Sequence, residues 1–177
     1  MLQDGPIRLR GLDLSDKKKL ALLANNKKVW DNLRDYMPHP YSEEDAVDFI
    51  RLTDQEAPKL TFAIEYNIEL CGVIGLVPQK DVYRRTAEIG YCLGEPFWGK
   101  GIATTAVKLL TAYGFQQIDL VRIHTGVFEY NTVSMRVLEK NGYKKEGIFK
   151  HAVLKNGKIW DEHRYAKLRE EEYAGKI

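Results

Sequence analysis

The stretch from Ala87 to Phe128 limits the possible folds more than any other part of the chain. Ala87, Ile89, Tyr91 and Leu93 alternate with Glu88, Gly90 and Cys92, the two-residue period of a strand whose faces meet different surroundings. Gly94-Glu95-Pro96-Phe97-Trp98 and the glycines Gly99 and Gly101 follow. Ile102, Ala106, Leu109, Leu110 and Tyr113 then recur at helical spacing, which predicts a helix from about Gly101 to Phe115. Alternation returns from Val121 to Phe128. Strand, glycine turn, amphipathic helix and strand make a crossover unit, so a sheet with packed helices is expected.

The flanking sequence adds elements to both ends of this unit. Ile7 to Leu12 alternates and reads as a first strand, and Ser15 or Asp16 is the expected cap of a helix carrying Leu20, Leu22 and Leu23. Ser42 with Asp45 three residues on is a capping-box variant opening a helix to about Leu52, with Val47, Phe49 and Ile50 on its apolar side. Between these helices lies the aromatic, Pro-rich connection Trp30 to Tyr41. Leu60 to Tyr66 and Glu69 to Val77 predict a hairpin turning at Asn67. After the crossover, Asn131 caps a helix stopped by Gly142, and Lys145–Leu154 with Ile159–Leu168 predict a closing hairpin at Asn156-Gly157. The expected architecture is α/β, or α+β: a mixed sheet with helices on both faces, in a single domain over 1–177. A chain of 177 residues buries about two-thirds of its unfolded surface in one core.

Composition narrows the partners. An apolar share of 44%, a charged share of 29% and a net charge of +2 are ordinary for a globular chain and give no field that argues for direct nucleic-acid binding. Met1 to Arg10 has no signal-peptide core and no run is apolar enough to span a bilayer, so a cytoplasmic protein without a membrane partner is expected, as a monomer or homodimer. Cys71 and Cys92 read as reduced strand residues, and His39, His124, His151 and His163 lack the paired spacing of a zinc site, so no metal is expected.

Trp98-Gly99-Lys100-Gly101-Ile102-Ala103-Thr104 is the most informative segment for chemistry. Glycines between a strand and a helix let the backbone curl so that N–H groups at the helix start converge on an anion, with the helix dipole behind them; a pyrophosphate is the natural ligand, and a plain tight turn the alternative. Two rival phosphate motifs fail. Gly94, Gly99 and Lys100 match most of a P-loop, but Gly101 stands where Ser or Thr must hold magnesium, and Pro96, Phe97 and Trp98 are too bulky for the cradle. The dinucleotide fingerprint fails at Thr104, its third glycine, and its strand should be early and continuously apolar.

Trp98 to Ala103 resembles the [QR]-x-x-G-x-[GA] acetyl-CoA motif of the GNAT acetyltransferases, with Trp98 in place of Gln or Arg. Ala87-Glu88-Ile89-Gly90-Tyr91 before it, Asn131-x-x-Ser134 and Val137 to Tyr143 after it, and the early loop Pro38-His39-Pro40-Tyr41-Ser42 resemble the RimJ/RimL-like branch, which acetylates α-amino groups of ribosomal proteins and related amines. The resemblance spans nearly the whole chain. It implies the GNAT fold: a mixed, mostly antiparallel sheet of six to seven strands with a splayed central strand pair. It implies acetyl-CoA as acetyl donor, an amine acceptor, and direct transfer in a ternary complex; a non-catalytic CoA-binding module for sensing or protein contact is the alternative.

Under that resemblance the cofactor meets the strand backbone at Tyr91, Cys92 and Leu93, the turn residues Trp98, Gly99, Lys100, Gly101, Ile102, Ala103 and Thr104, and the helix start at Asn131 and Ser134. An amine attacks a thioester only when neutral, so a base is needed, and Glu88 is the candidate, with Glu129 in reserve and a solvent-facing strand glutamate as the alternative reading. Many relatives place a tyrosine acid one helical turn past Asn-x-x-Ser, but Leu138 occupies that position here. Ser134 is its expected substitute at the leaving sulfur, and Tyr143 is expected in the core. Trp30, Tyr36, His39 and Tyr41 are the acceptor candidates, with core or lid packing as the alternative for the aromatic residues.

Overall fold

The computed structural model describes residues 2–169. The strands are β1 (Leu2–Asp4), β2 (Ile7–Arg10), β3 (Thr61–Tyr66), β4 (Glu69–Pro78), β5 (Thr86–Leu93), β6 (Arg122–Phe128), β7 (Lys144–Lys155) and β8 (Lys158–Leu168). The helices are α1 (Lys17–Ala24), α2 (Lys27–Trp30), α3 (Glu43–Asp54), α4 (Ile102–Gln116) and α5 (Thr132–Lys140). The sheet has eight strands in the order β1-β2-β3-β4-β5-β6-β8-β7, one more than the six to seven expected. The added strand, β1, is three residues long and two of them are exposed, too short and too polar to show a period; it folds back on β2 around Gly5, at φ 56°. The β5–β6 pair is parallel, with Thr86, Ala87 and Glu88 facing Arg122, Ile123 and His124. Among the described residues no helix is long and apolar enough to cross a membrane.

The expected single domain, 1–177, runs past the described residues at both ends. Those residues group into two compact units: one contains the chain up to Gly75 with Tyr91–Leu109, the other Leu76–Gly90 with the chain from Leu110 onward.

In the first unit the sequence pattern sets most boundaries. Ser42 and Asp45 form a reciprocal capping box at the start of α3, whose buried positions are Ala46, Ile50 and Thr53; Val47 and Phe49 are half-buried and Leu52 is exposed. Of the expected caps Ser15 and Asp16, Asp16 holds the N-cap position of α1 but makes no side-chain capping bond, and Asp13 caps the turn before it. Its carboxylate accepts from Ser15 N–H, and Asp16 reaches back to Asp13 N–H, closing a 3₁₀ turn over Leu14–Asp16 before α1. Asp16 is not available as a helix cap because Arg10 grips it in a fork, NH1 to Oδ2 at 2.7 Å and NH2 to Oδ1 at 2.8 Å. Arg10 Nε also donates to Glu65 Oε1 at 2.5 Å, and Arg8 Nε to Glu65 Oε2 at 2.8 Å. Leu20, Ala21 and Leu23 of α1 are buried, whereas Leu22 is exposed.

In the second unit α4 ends against β6 so closely that a Cβ on Gly114 would lie 2.9 Å from Ile123 Cδ1 and 3.1 Å from Leu76 Cδ1. Leu110, Leu120, Ile123, Leu138 and Tyr165 are fully enclosed. Tyr143 joins them, as expected, sharing a 2.8 Å hydrogen bond between its hydroxyl and that of Thr111. The closing hairpin turns at Asn156 and Gly157, at φ 52° and 72°, the backbone that a two-residue hairpin turn requires.

The Arg10 network makes a stability prediction. Burial raises the Asp16 carboxyl, but the bonds from Arg10 and from Asp13 N–H outweigh it, and Glu65 is likewise held below the ordinary carboxylate range by Arg10 and Arg8 despite burial. Carboxyls lowered in the folded state contribute stability that is complete above about pH 4 and is lost as pH falls through their lowered values. Urea denaturation of Arg10→Met is therefore expected to show a loss of about 2 kcal/mol at neutral pH, narrowing towards about pH 3.

Candidate active site

The glycine turn before α4 lies wholly in the first unit. Gly94–Phe97 tightens into a 3₁₀ turn, with Phe97 N–H bonded to Gly94 O at 3.0 Å and the Phe97 ring buried. The Trp98 indole N–H donates to Leu93 O at 2.9 Å, tying the turn back to the end of β5. Gly99 and Gly101 then adopt φ 74° and 75°, the left-handed backbone that side chains with a Cβ disfavour. A Cβ built on either meets nothing within 4 Å, so the concave side of the turn is open. Ile102 is buried and anchors the first turn of α4, and Thr105 N–H bonds to Gly101 O at 3.2 Å. The first turn of a helix leaves N–H groups without acceptors in the helix itself, so the start of α4 is a suitable place for an anion. Lys100 is exposed, with its ammonium 5.5 Å from the Phe97 ring centre.

The strand residues before the turn are closely supported. A Cβ on Gly72 would sit 2.2 Å from Cys92 O, so β4 lies backbone to backbone against Cys92 and Leu93. Burial pushes the Cys92 thiol up to about 11 and the Cys71 thiol up to about 12, so neither is a thiolate near neutral pH.

The acceptor candidates also belong to this unit. The rings of Trp30 and His39 stack with centres 5.4 Å apart, and the Trp30 indole N–H donates to Met37 O at 2.8 Å. Tyr36 is 83% exposed. Tyr41, by contrast, is buried, and burial, with the charge of Asp45 adding, lifts its hydroxyl to about 12. Of the four, Tyr41 packs in the core and the other three reach the surface.

The second unit holds the proposed acid–base residues. Glu88 is half-buried on β5, opposite His124 in the parallel register. Asn131 caps α5, its Oδ1 accepting from Ser134 N–H at 3.2 Å, and Ser134 is half-buried. Leu138 is fully buried, so the helix offers no hydroxyl there. The reserve candidate, Glu129, is engaged with β8: its Oε1 accepts from Asp161 N–H at 3.2 Å and its own N–H donates to Asp161 O at 3.1 Å.

A cavity of about 360 Å³ opens on the same unit, lined by Gln79, Tyr83, Thr86, Arg122, His124 and Arg164. Arg122 forks onto Glu146, and Arg164 bonds both Glu162 and His124. Sequence reasoning missed this group. The signal was present in the alternation of β6, which sets Arg122 and His124 on one face, but joining them to Thr86, Glu88 and Arg164 requires two strand registers that no local pattern supplies.

Residues 7–144 match the acetyltransferase (GNAT) domain family. The chain belongs to the GNAT acetyltransferases. The match takes in the glycine turn, Glu88, Asn131, Ser134 and Leu138. Among curated relatives, the probable N-acetyltransferase YjcK of Bacillus subtilis is 33% identical over 170 residues, 92% of this chain and 93% of the relative. Among solved structures, the microcin C7 self-immunity acetyltransferase MccE, in complex with acetyl-CoA and AMP, is 29% identical with a TM-score of 0.80 and 94% of each chain covered. RimL, a ribosomal L7/L12 α-N-protein acetyltransferase in complex with coenzyme A, has a TM-score of 0.82 over 93% of this chain and 95% of its own, at 24% identity, a likeness of fold. Membership selects the enzyme reading over the non-catalytic one. The chain is an N-acetyltransferase with the mixed, mostly antiparallel GNAT sheet.

Gly101→Asp would place a negative charge on the open side of the turn and a side chain at φ 75°. With space for the added atoms, the variant is expected to fold and to lose binding of acetyl-CoA in a calorimetric titration. Unchanged affinity in a folded variant would place the phosphates elsewhere.

Proposed function

We propose that this GNAT acetyltransferase moves the acetyl group of acetyl-CoA directly to a primary amine, either a protein α-amine or a small-molecule amine, in a ternary complex. The open glycine turn ahead of α4 carries the reading, because its left-handed backbone favours glycine and leaves the space beside it open to a pyrophosphate. MccE and RimL, which hold acetyl-CoA and coenzyme A, support the same donor.

Each residue has a defined task under this reading. The backbone from Gly99 to Thr104 binds the pyrophosphate, with Lys100 adding charge and the Trp98 ring bracing the turn through its bond to Leu93. Tyr91, Cys92 and Leu93 offer strand backbone to the pantetheine, which pairs as an added strand does. Glu88 accepts the proton that the ammonium must lose before it can attack. Asn131 holds the start of α5 and the donor's reacting end, and Ser134 donates to the departing sulfur in place of the hydroxyl that Leu138 lacks. The two thiols, kept protonated by burial, are poor nucleophiles, which favours direct transfer over an acetyl-cysteine intermediate. Trp30, Tyr36 and His39 are the accessible residues for acceptor recognition.

The roles separate by pH. Glu88→Gln is expected to retain acetyl-CoA binding and to lower turnover about 10²-fold at neutral pH, with the deficit shrinking as pH rises and free amine becomes abundant. Ser134→Ala is expected to lose turnover with no recovery at high pH, since amine deprotonation is not the step it serves. Initial rates across the pH range for both variants read out the difference. Wild-type turnover in Glu88→Gln throughout that range would remove Glu88 from the mechanism.

A further inference from the structure

The contact between Arg164 and His124 fixes more than a distance. Arg164 reaches from β8 with NH2 3.2 Å from His124 Nδ1, while NH1 is held by Glu162 Oε1 at 2.7 Å. A guanidinium has only donors, so Nδ1 must accept, and the neutral ring then carries its proton on Nε2. In that tautomer Nδ1 is occupied and Nε2–H is the remaining polar group of the ring, so His124 is a hydrogen-bond donor rather than a base. The parallel register sets Glu88 opposite His124, and the Glu88 carboxylate lies within electrostatic reach of the ring.

We propose that Glu162, Arg164 and His124 form a polar chain across β8, β6 and β5 that orients Glu88, with His124 offering its Nε2–H to the carboxylate. Arg164 and His124 are positioning residues acting through Glu88, an assignment that rests on Glu88 being the base. Hydrogen bonding to a carboxylate fixes its direction and favours its charged form, the form that accepts a proton. Sequence alone offers only the dispersed residues of this chain; the register and the guanidinium contact assemble it.

The ring must stay neutral for this role, and its surroundings keep it so. Facing it are Arg164 from β8 with Glu162 behind, Arg122 from β6, Glu88 from β5, Glu146 from β7 and Tyr83 from the turn after β4. Burial first, then Arg164, holds the imidazole below its ordinary value, with Arg122 acting alike and Glu88 and Glu146 opposing. A histidine lowered in this way is uncharged at neutral pH.

Nitrogen-15 spectra of the wild-type protein at neutral pH are expected to show His124 neutral with its proton on Nε2. Its titration should move up in Arg164→Met and down in Glu88→Gln. For function, thioester loss from acetyl-CoA is followed with a mixture of spermidine and a short peptide bearing a free N-terminus. His124→Phe is expected to lower kcat about tenfold with the KM for acetyl-CoA unchanged. In the Glu88→Gln background the same change should cost less than about twofold, because nothing remains for it to position. An Nδ1–H tautomer or an imidazolium in the wild type overturns the proposal, as do equal losses in both backgrounds. If Glu88→Gln is impaired and those losses are equal, the positioning role alone has failed; if Glu88→Gln turns over normally, the base assignment has failed and takes the positioning role with it.

Discussion

Parallel strands cannot be joined by a tight turn, and β5 and β6 are parallel over Thr86–Glu88 and Arg122–His124. The connection between them must travel the length of the strands, and α4 is that connection. A helix that follows a strand in a crossover begins beyond the strand's carboxyl end, so its free N–H groups and positive dipole end are delivered there by topology alone. Gly99 and Gly101, both at positive φ, make the reversal between strand and helix, and the space beside their α-carbons is open. The proposed donor site at this turn therefore rests on the crossover, with Lys100 and the bracing by Trp98 as its side-chain additions.

The residues around Glu88, and the thiols, obey a different constraint, the cost of burying charge. Burial leaves both cysteines as thiols and His124 as a neutral imidazole. Where charge is buried, it is paired. Asp16 and Glu65 are carried by Arg10 and Arg8, and the half-buried Glu162 is met by Arg164. Glu88 faces His124, whose ring is kept neutral by burial first and by Arg164 next. The arrangement supports Glu88 as the proposed base.

Local pattern was sufficient wherever one element decided the outcome. The capping box of Ser42 and Asp45, the turn at Asn156-Gly157, the Asn131 cap and the glycine turn before α4 are each set within a few residues. The sequence was less informative where distant elements compete. Asp16 stands at the N-cap position of α1, but its carboxylate goes to Arg10 and Asp13 N–H, and no side chain caps that helix. Tyr41 has the composition of a surface aromatic beside Pro40, but packing buries it. Arg164 and His124 are 40 residues apart and meet only through the β6–β8 ladder. The extra strand β1 escaped because three residues are too few to carry a period.

The account stands or falls on acetyl transfer from the donor held at the glycine turn. Mass spectrometry of products formed from acetyl-CoA and a panel of peptides with free N-termini and small primary amines tests it most directly. The expected result is an N-acetylated amine formed in step with free coenzyme A, dependent on the protein and abolished in Gly101→Asp. Protein that binds the donor yet acetylates no amine in the panel, or that acetylates equally well with Gly101→Asp, would contradict it.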